Sequence, residues 1–220
     1  MNEDQFSIDT LLVSILIMLT LINIDVIHIT EAQNINIEIE TEEDVPIVSN
    51  AFITANDAKR WAEGKGATSE FIELADLYWK YSGEHGDVNP ALAYVQAAKE
   101  TAYGNFGGVL DASYHNPCGL KTNKGGSDKD PNAHMRFKSW NEGVKAHLDH
   151  LALYAGAEGY PKVETNDPRH FPSILGKAES VVDLSKSWAP SETYGEEILA
   201  MYNEMLESAG NQDIEVINIF

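Results

Sequence analysis

Glu100 is the residue whose type and position best fit catalysis. It lies near the end of a predicted helix over residues 90–103, on one face with Gln96 and the small residues Ala93 and Ala97. The C-terminal end of a helix disfavours negative charge, and partial burial there would raise the pKa of a carboxyl group further. A carboxylic acid that stays protonated near neutral pH is what a glycosidase uses to protonate a leaving oxygen. The alternative is an ordinary glutamate on a solvated helix end.

Three histidines fit a different chemistry. His147 and His150 are one helical turn apart and could share a zinc ion with His134 or an aspartate. That arrangement would predict a zinc amidase or peptidase. The sequence has no His-Glu-x-x-His motif, however, and histidines on helices often satisfy a hydrogen bond in the core. We therefore expect no metal and no cofactor, with zinc as the alternative.

Cys118 is the single cysteine of the chain. It cannot form an internal disulfide, and it excludes zinc sites built from several cysteines. Paired with His115 it would be a nucleophile, and otherwise it is a small buried hydrophobic residue.

Four segments together resemble the bacterial glucosaminidases of glycoside hydrolase family 73, which cleave peptidoglycan. The segment 97–104 (AAKETAYG) is similar to the catalytic-helix motif of that family, and 116–121 (NPCGLK) is similar to the segment that opens its β lobe. Residues 137–147 resemble the helix after the lobe, and residues 188–194 resemble its late Asp-Pro-x-Tyr region. The segments occur in the family's order and cover about residues 53–208.

The resemblance implies a lysozyme-like fold, peptidoglycan glycan strands as partner, Glu100 as general acid and Tyr194 as an assisting residue of the substrate site. Two positions depart from the family pattern, namely Thr101, where serine is usual, and Cys118, where an aromatic or aliphatic residue is usual. A lytic transglycosylase and a wall-binding module without activity remain alternatives.

The second carboxylate is less clear, because the predicted lobe is short. Asp128 and Asp130 are candidates for a base that activates water, and both also fit turn residues that cap backbone amides. Aromatic side chains are available to stack on sugar rings. The candidate substrate-binding residues are Gln96, Tyr103, Phe106, Tyr114, Asn116, Trp188 and Tyr194.

The elements that must position these residues are mostly helices. Hydrophobic periodicity and capping residues predict a mainly α fold, an α+β lysozyme-like domain with one small β-hairpin lobe. The lobe pairs residues 119–122 with 135–137 across a turn-rich connection. The predicted helices are 54–62, 69–82, 90–103, 139–155 and a last helix from Pro190.

Charge divides the chain unevenly. Its net charge is -20, which excludes a protein that coats nucleic acid. Residues 1–58 hold 11 acidic residues and no basic ones. Residues 11–24 are almost wholly apolar, and the run reaches residue 29 with one carboxylate inside it. Such a run is typical of a signal peptide or membrane anchor, so we expect an extracellular or cell-wall location.

These patterns predict three regions. Residues 1–52 form an apolar leader or anchor with an acidic linker, 53–210 form the catalytic domain, and 211–220 form a C-terminal tail. The end of the tail, 213–220, alternates like a strand, and a flexible tail is the other interpretation.

Overall fold

A computed structural model describes residues 44–217 and confirms the helix-rich fold. Short 3₁₀ turns and loops connect its α-helices. In chain order the α-helices of these residues are α1 (Ala55–Gly64), α2 (Ser69–Tyr81), α3 (Pro90–Thr101), α4 (Trp140–Ala155), α5 (Leu184–Ser187) and α6 (Tyr194–Ile217).

Local capping explains where several helices begin. Thr54 and Asp57 form a reciprocal capping box at the start of α1. The Asn89 side chain accepts hydrogen bonds from two backbone N–H groups of α3, with Pro90 as the first helical residue. Ser139 accepts the N–H of Glu142 at the start of α4. These predicted helix starts are confirmed within one residue.

Helix α3 lies at the centre of the core. Its residues from Pro90 to Ala98 are all buried, because it packs against α1, α2, α4 and α6. A helix that is apolar or small on every side is expected at such a position. Glu100 extends from the end of this helix, where the core gives way to solvent.

The predicted β lobe is a minimal hairpin. Lys121 and His134 form an isolated antiparallel bridge, and within residues 44–217 the strand pairing goes no further than such bridges. Cys118, Leu120 and Phe137 pack with Ala146 of α4 in a small second hydrophobic cluster beneath the lobe. This cluster joins the lobe to the helical body.

The last helix differs from the prediction at both ends. It begins at Tyr194 rather than at Pro190, and the backbone amide of Glu197 donates to the carbonyl of Thr193 just before it. The helix continues past Gly210 to Ile217, so residues 213–217 are helical rather than strand-like or extended. A single glycine costs a helix only about 1 kcal/mol, which packing of the preceding turns can offset.

The N-terminal part of the described chain packs against the domain. Ile47 is fully buried, and backbone hydrogen bonds join Val45 and Ile47 to residues 179–181 and to Asn89. The predicted domain boundaries at 52/53 and 210/211 stay predictions.

The predicted location, extracellular through an N-terminal leader or anchor, is wrong for the part of the chain that the structure describes. Within residues 44–217, no helix combines the length and the apolar character needed to cross a membrane. Residues 11–29, on which that prediction rests, lie outside the described residues.

Candidate active site

Glu100 lines an open cleft of about 720 Å³. The end of α3 and the residues that follow it form one wall, and the lobe forms another. Trp188 and the residues after it close the third side. Such a volume suits a small-molecule or sugar-chain site.

The Glu100 carboxyl group is exposed toward this cleft and surrounded by protein atoms on its other sides. That partial desolvation raises its pKa, which hydrogen bonds from Tyr194 and Trp188 and the charge of Lys99 only partly offset. One oxygen, Oε1, accepts the hydroxyl of Tyr194. The other, Oε2, lies 4.0 Å from where a Cβ atom would stand at Gly119, a residue of the cleft. A carboxyl group in this setting can carry a proton on the oxygen that faces a substrate.

Tyr194 is held by a buried series of side chains. Its hydroxyl lies 2.9 Å from Nε2 of Gln96, and Oε1 of Gln96 lies 2.9 Å from Nε2 of His147. Nδ1 of His147 lies 2.8 Å from the hydroxyl of Tyr78. We call these five residues, from Tyr78 through His147, Gln96 and Tyr194 to Glu100, the Glu100 hydrogen-bond chain.

Thr101 and Gly104 explain the rest of the motif around Glu100. The Thr101 hydroxyl donates to the carbonyl of Ala97 at 2.7 Å and accepts the N–H of Gly104 at 3.0 Å, which fastens the end of α3. Gly104 has φ +80°, and a Cβ atom there would lie 2.6 Å from Cβ of Phe71. Only glycine fits this close approach between the end of α3 and the start of α2.

Asp128 and Asp130 have different surroundings. Asp128 lines the cleft, and its carboxylate lies 2.6 Å from Nζ of Lys121. The hydrogen bond and charge of Lys121 lower the pKa of Asp128. Asp130 does not line the cleft, and its side chain accepts the N–H of Asn132 at 2.9 Å in a 3₁₀ turn. The structure thus brings Asp128, and not Asp130, to the same cavity as Glu100.

The predicted substrate-binding residues divide in the same way. Phe106, Asn116 and Trp188 line the cleft. The side chain of Asn116 is fully buried, and its amide bonds to backbone groups of Leu120 and Met135, so it holds the lobe in place.

The remaining aromatic candidates lie elsewhere. Tyr103 packs on Trp61 of α1, with ring centroids 5.5 Å apart. Tyr114 is buried beneath the guanidinium of Arg136. Their roles as substrate contacts stay predictions.

The histidines proposed as zinc ligands are engaged in other bonds. Both ring nitrogens of His147 face side chains of the Glu100 hydrogen-bond chain. Nδ1 of His150 lies 2.7 Å from the carboxylate of Asp167. Among the described residues, no three His, Cys, Asp or Glu side chains are grouped to hold a metal ion. Cys118 does not favour nucleophilic chemistry either, because burial raises the pKa of its thiol well above the ordinary value.

Arg169 and Lys121 also line the cleft and were not predicted from the sequence, and His134, predicted only as a possible zinc ligand, lines it too. Arg169 comes from the loop after α4, and its guanidinium reaches the carbonyl of Thr122 in the lobe at 3.4 Å. Nothing in the local pattern of that loop places it at the cleft. Lys121, in contrast, lies inside the predicted lobe segment, so its position at the cleft could have been predicted from the sequence.

Comparisons with known proteins identify the family of this chain. The family model for glucosaminidases, described as mannosyl-glycoprotein endo-beta-N-acetylglucosaminidase, matches residues 75–207. An uncharacterized protein of Borreliella burgdorferi is 30% identical over 120 residues, which is 54% of this chain and 56% of that protein. The chain therefore spans little more than half the length of that relative. No solved structure matches the chain.

The family match covers more than half of the chain and includes the cleft residues Glu100 and Asp128, together with Tyr194 behind Glu100. The chain therefore belongs to the glucosaminidase family.

Proposed function

We propose that the chain is an endo-β-N-acetylglucosaminidase that cleaves the β-1,4 bond after N-acetylglucosamine in cell-wall glycan, with Glu100 as general acid. The observation that carries this proposal is the environment of Glu100. Its carboxyl group has a raised pKa, one oxygen bound by Tyr194 and the other facing an open cleft. A carboxylic acid in such a pocket donates its proton to a leaving oxygen.

The reaction then follows in two proton steps. Glu100 gives its proton to the glycosidic oxygen as the bond from that oxygen to the anomeric carbon breaks. A water molecule attacks the anomeric carbon of the oxocarbenium-like sugar and loses a proton to Asp128. Lys121 supports this assignment, because its charge keeps the Asp128 carboxylate ionised and therefore able to accept. Phe106 and Trp188 line the same cleft and are aromatic residues of the kind that stack on sugar rings.

The test is digestion of purified peptidoglycan by the wild type and by Glu100→Gln, followed by mass spectrometry of the products. We expect new N-acetylglucosamine reducing ends from the wild type and a loss of at least about 10²-fold in Glu100→Gln, because general acid catalysis contributes that much. Glu63→Gln, an exposed residue of α1 outside the cleft, is the matched control and should retain full activity.

Other products would point to the alternatives. Full activity in Glu100→Gln would falsify the acid assignment. Anhydro-sugar ends would indicate a lytic transglycosylase, in which a hydroxyl group of the substrate attacks in place of water. Freed amino termini would indicate an amidase or peptidase, and binding without cleavage by the wild type would indicate a wall-binding module.

A further inference from the structure

The Glu100 hydrogen-bond chain has a defined direction. Ionised Glu100 can only accept, so Tyr194 donates its O–H to Oε1 and accepts the N–H of Gln96. The amide oxygen of Gln96 then faces His147. Nε2 of His147 must carry hydrogen to donate to that oxygen, which leaves Nδ1 to accept the hydroxyl of Tyr78.

His147 is suited to this arrangement because it is neutral. Complete burial and the nearby His150 lower the pKa of His147 to about 3. A neutral imidazole has one donor and one acceptor nitrogen, so a bond on one side fixes the bond on the other. Tyr78, Gln96 and His147 are all fully buried, so water does not compete for these bonds.

We propose that Tyr78, His147 and Gln96 are positioning residues that fix the Tyr194 hydroxyl as a donor to Oε1 of Glu100 and so reserve Oε2 for the catalytic proton. Oε2 is the oxygen that faces Gly119 and the cleft. This inference rests on the proposed function, in which that proton passes to the glycosidic oxygen.

The reverse direction shows why the orientation matters. If the Gln96 amide turned over, its oxygen would face Tyr194, and the Tyr194 hydroxyl would donate to it. A protonated Glu100 would then donate from Oε1 back to Tyr194. The acidic proton would lie in the buried chain rather than in the cleft, and the carboxylate would lose a donor that lowers its pKa.

Other groups around Glu100 also influence its titration. Lys99 precedes it on α3, and the charge of Lys99 and a hydrogen bond from Trp188 both lower the pKa of Glu100. The titratable and charged groups that share its surroundings are Lys99, Cys118, Lys121, Asp128, His134, His150, Tyr154, Arg169 and Tyr194. Of these groups, His150 lies near His147, and the His147 ring also packs on Trp188 with centroids 5.7 Å apart. Both variants of His147 described next lose that ring, so a difference between them does not arise from its loss.

Two variants of His147 distinguish the effect of hydrogen-bond direction from the effect of side-chain packing. The amide nitrogen of a glutamine reaches about where Nε2 stands, so His147→Gln keeps a donor for Gln96. An asparagine side chain ends near the position of Nδ1, so His147→Asn keeps a partner for Tyr78 and loses the donor to Gln96. Leu151 is a fully buried residue of the same helix that does not belong to the Glu100 hydrogen-bond chain. Leu151→Ala therefore controls for a general loss of packing.

The first measurement needs no substrate. The ¹⁵N spectrum of His147 in the free protein should show the tautomer with hydrogen on Nε2. The ¹³C titration midpoint of the Glu100 carboxyl group should move upward in Tyr194→Phe, and in the same direction by less in His147→Asn. Tyr78→Phe, which is isosteric, should move the Glu100 midpoint least. It replaces His147→Asn in this test if that variant does not fold. His147→Gln and Leu151→Ala should leave it unchanged.

The second measurement uses peptidoglycan. Because the protonated acid is the active form, the descending limb of kcat against pH should move to higher pH in the same order. We also expect kcat to fall about tenfold in His147→Asn, the effect of weakening one hydrogen bond to a charged group. A wild type with hydrogen on Nδ1, or equal Glu100 midpoints in His147→Asn and His147→Gln, would overturn the proposal. A wild type that has the expected tautomer and midpoints but does not cleave glycan would instead overturn the proposed function.

Discussion

The helical body and the lobe shift the pKa values of their cleft carboxyl groups in opposite directions. Glu100 ends a buried helix, and protein atoms around it raise the pKa of its carboxyl group. Asp128 lies on an exposed turn of the lobe, where Lys121 lowers the pKa of its carboxyl group. Between these two pKa values, one group is protonated while the other is ionised. Environments that separate two carboxyl groups in this way assign the acid to one and the acceptor to the other.

The two regions also differ in how firmly they place the carboxylate. Glu100 is supported by a series of four hydrogen bonds and by a helix packed on several sides. Asp128 is supported by one ion pair and by a hairpin with a single β-bridge. The carboxyl group of Glu100 is therefore held more firmly than that of Asp128.

The largest effect on this comparison should come from removing the lobe carboxylate. Asp128→Asn keeps the size of the side chain and removes its ability to accept a proton from water. If Asp128 is the base, kcat/KM on peptidoglycan should fall about 10²–10⁴-fold, the usual contribution of a positioned general base.

Asp130→Asn is the matched control, since asparagine can still accept the N–H of Asn132. It should retain nearly full activity. Equal activity of Asp128→Asn and the wild type would remove the lobe carboxylate from the mechanism and leave water positioned without a strong base.

The next largest effect should come from the body, at Gly104. A Cβ atom in Gly104→Ala meets Phe71 and Thr68 at less than 3.0 Å on a left-handed backbone. We expect the free energy of unfolding to fall by about 2–4 kcal/mol, from backbone strain and overpacking together. Chemical denaturation of the full chain measures this.

Gly66→Ala separates the two contributions. Gly66 has φ +73° and no neighbouring atom within 4 Å of an added Cβ atom, so only the backbone strain applies. Its cost should be about 1–2 kcal/mol. If Gly104→Ala and Gly66→Ala were equally destabilised, the close contact of Gly104 with α2 would add nothing to the loss in free energy of unfolding.

The same contrast explains what the sequence could predict. The starts of α1, α3 and α4 follow from capping residues a few positions away, so local pattern suffices. The prediction of Glu100 rests on a motif that is local as well. The predicted start of α6 at Pro190 was wrong, although proline is a common first residue of a helix. The helix begins at Tyr194 instead, which the local sequence pattern does not indicate.

Distant partners were beyond the sequence pattern. Tyr78 and His147 are 69 residues apart, and Gln96 and Tyr194 are 98 residues apart. Gln96 was predicted for its helix face and His147 only as a metal ligand. The connection of these four residues depends on how helices α2, α3, α4 and α6 pack, which periodicity does not define.

The smallest effect should come from Lys121→Met, which tests the ion pair of the lobe alone. Losing the charge and hydrogen bond of Lys121 lets the pKa of Asp128 rise toward its ordinary value. If ionised Asp128 is the base, as proposed, the ascending limb of activity against pH should move to higher pH. Activity near neutral pH should change only a few-fold, since exposed ion pairs contribute little. Lys124→Met, on the same lobe and outside the cleft, should leave both limbs in place. A shift of the descending limb in Lys121→Met would mean that the lobe cation acts on Glu100 instead, and that body and lobe do not tune their carboxylates independently.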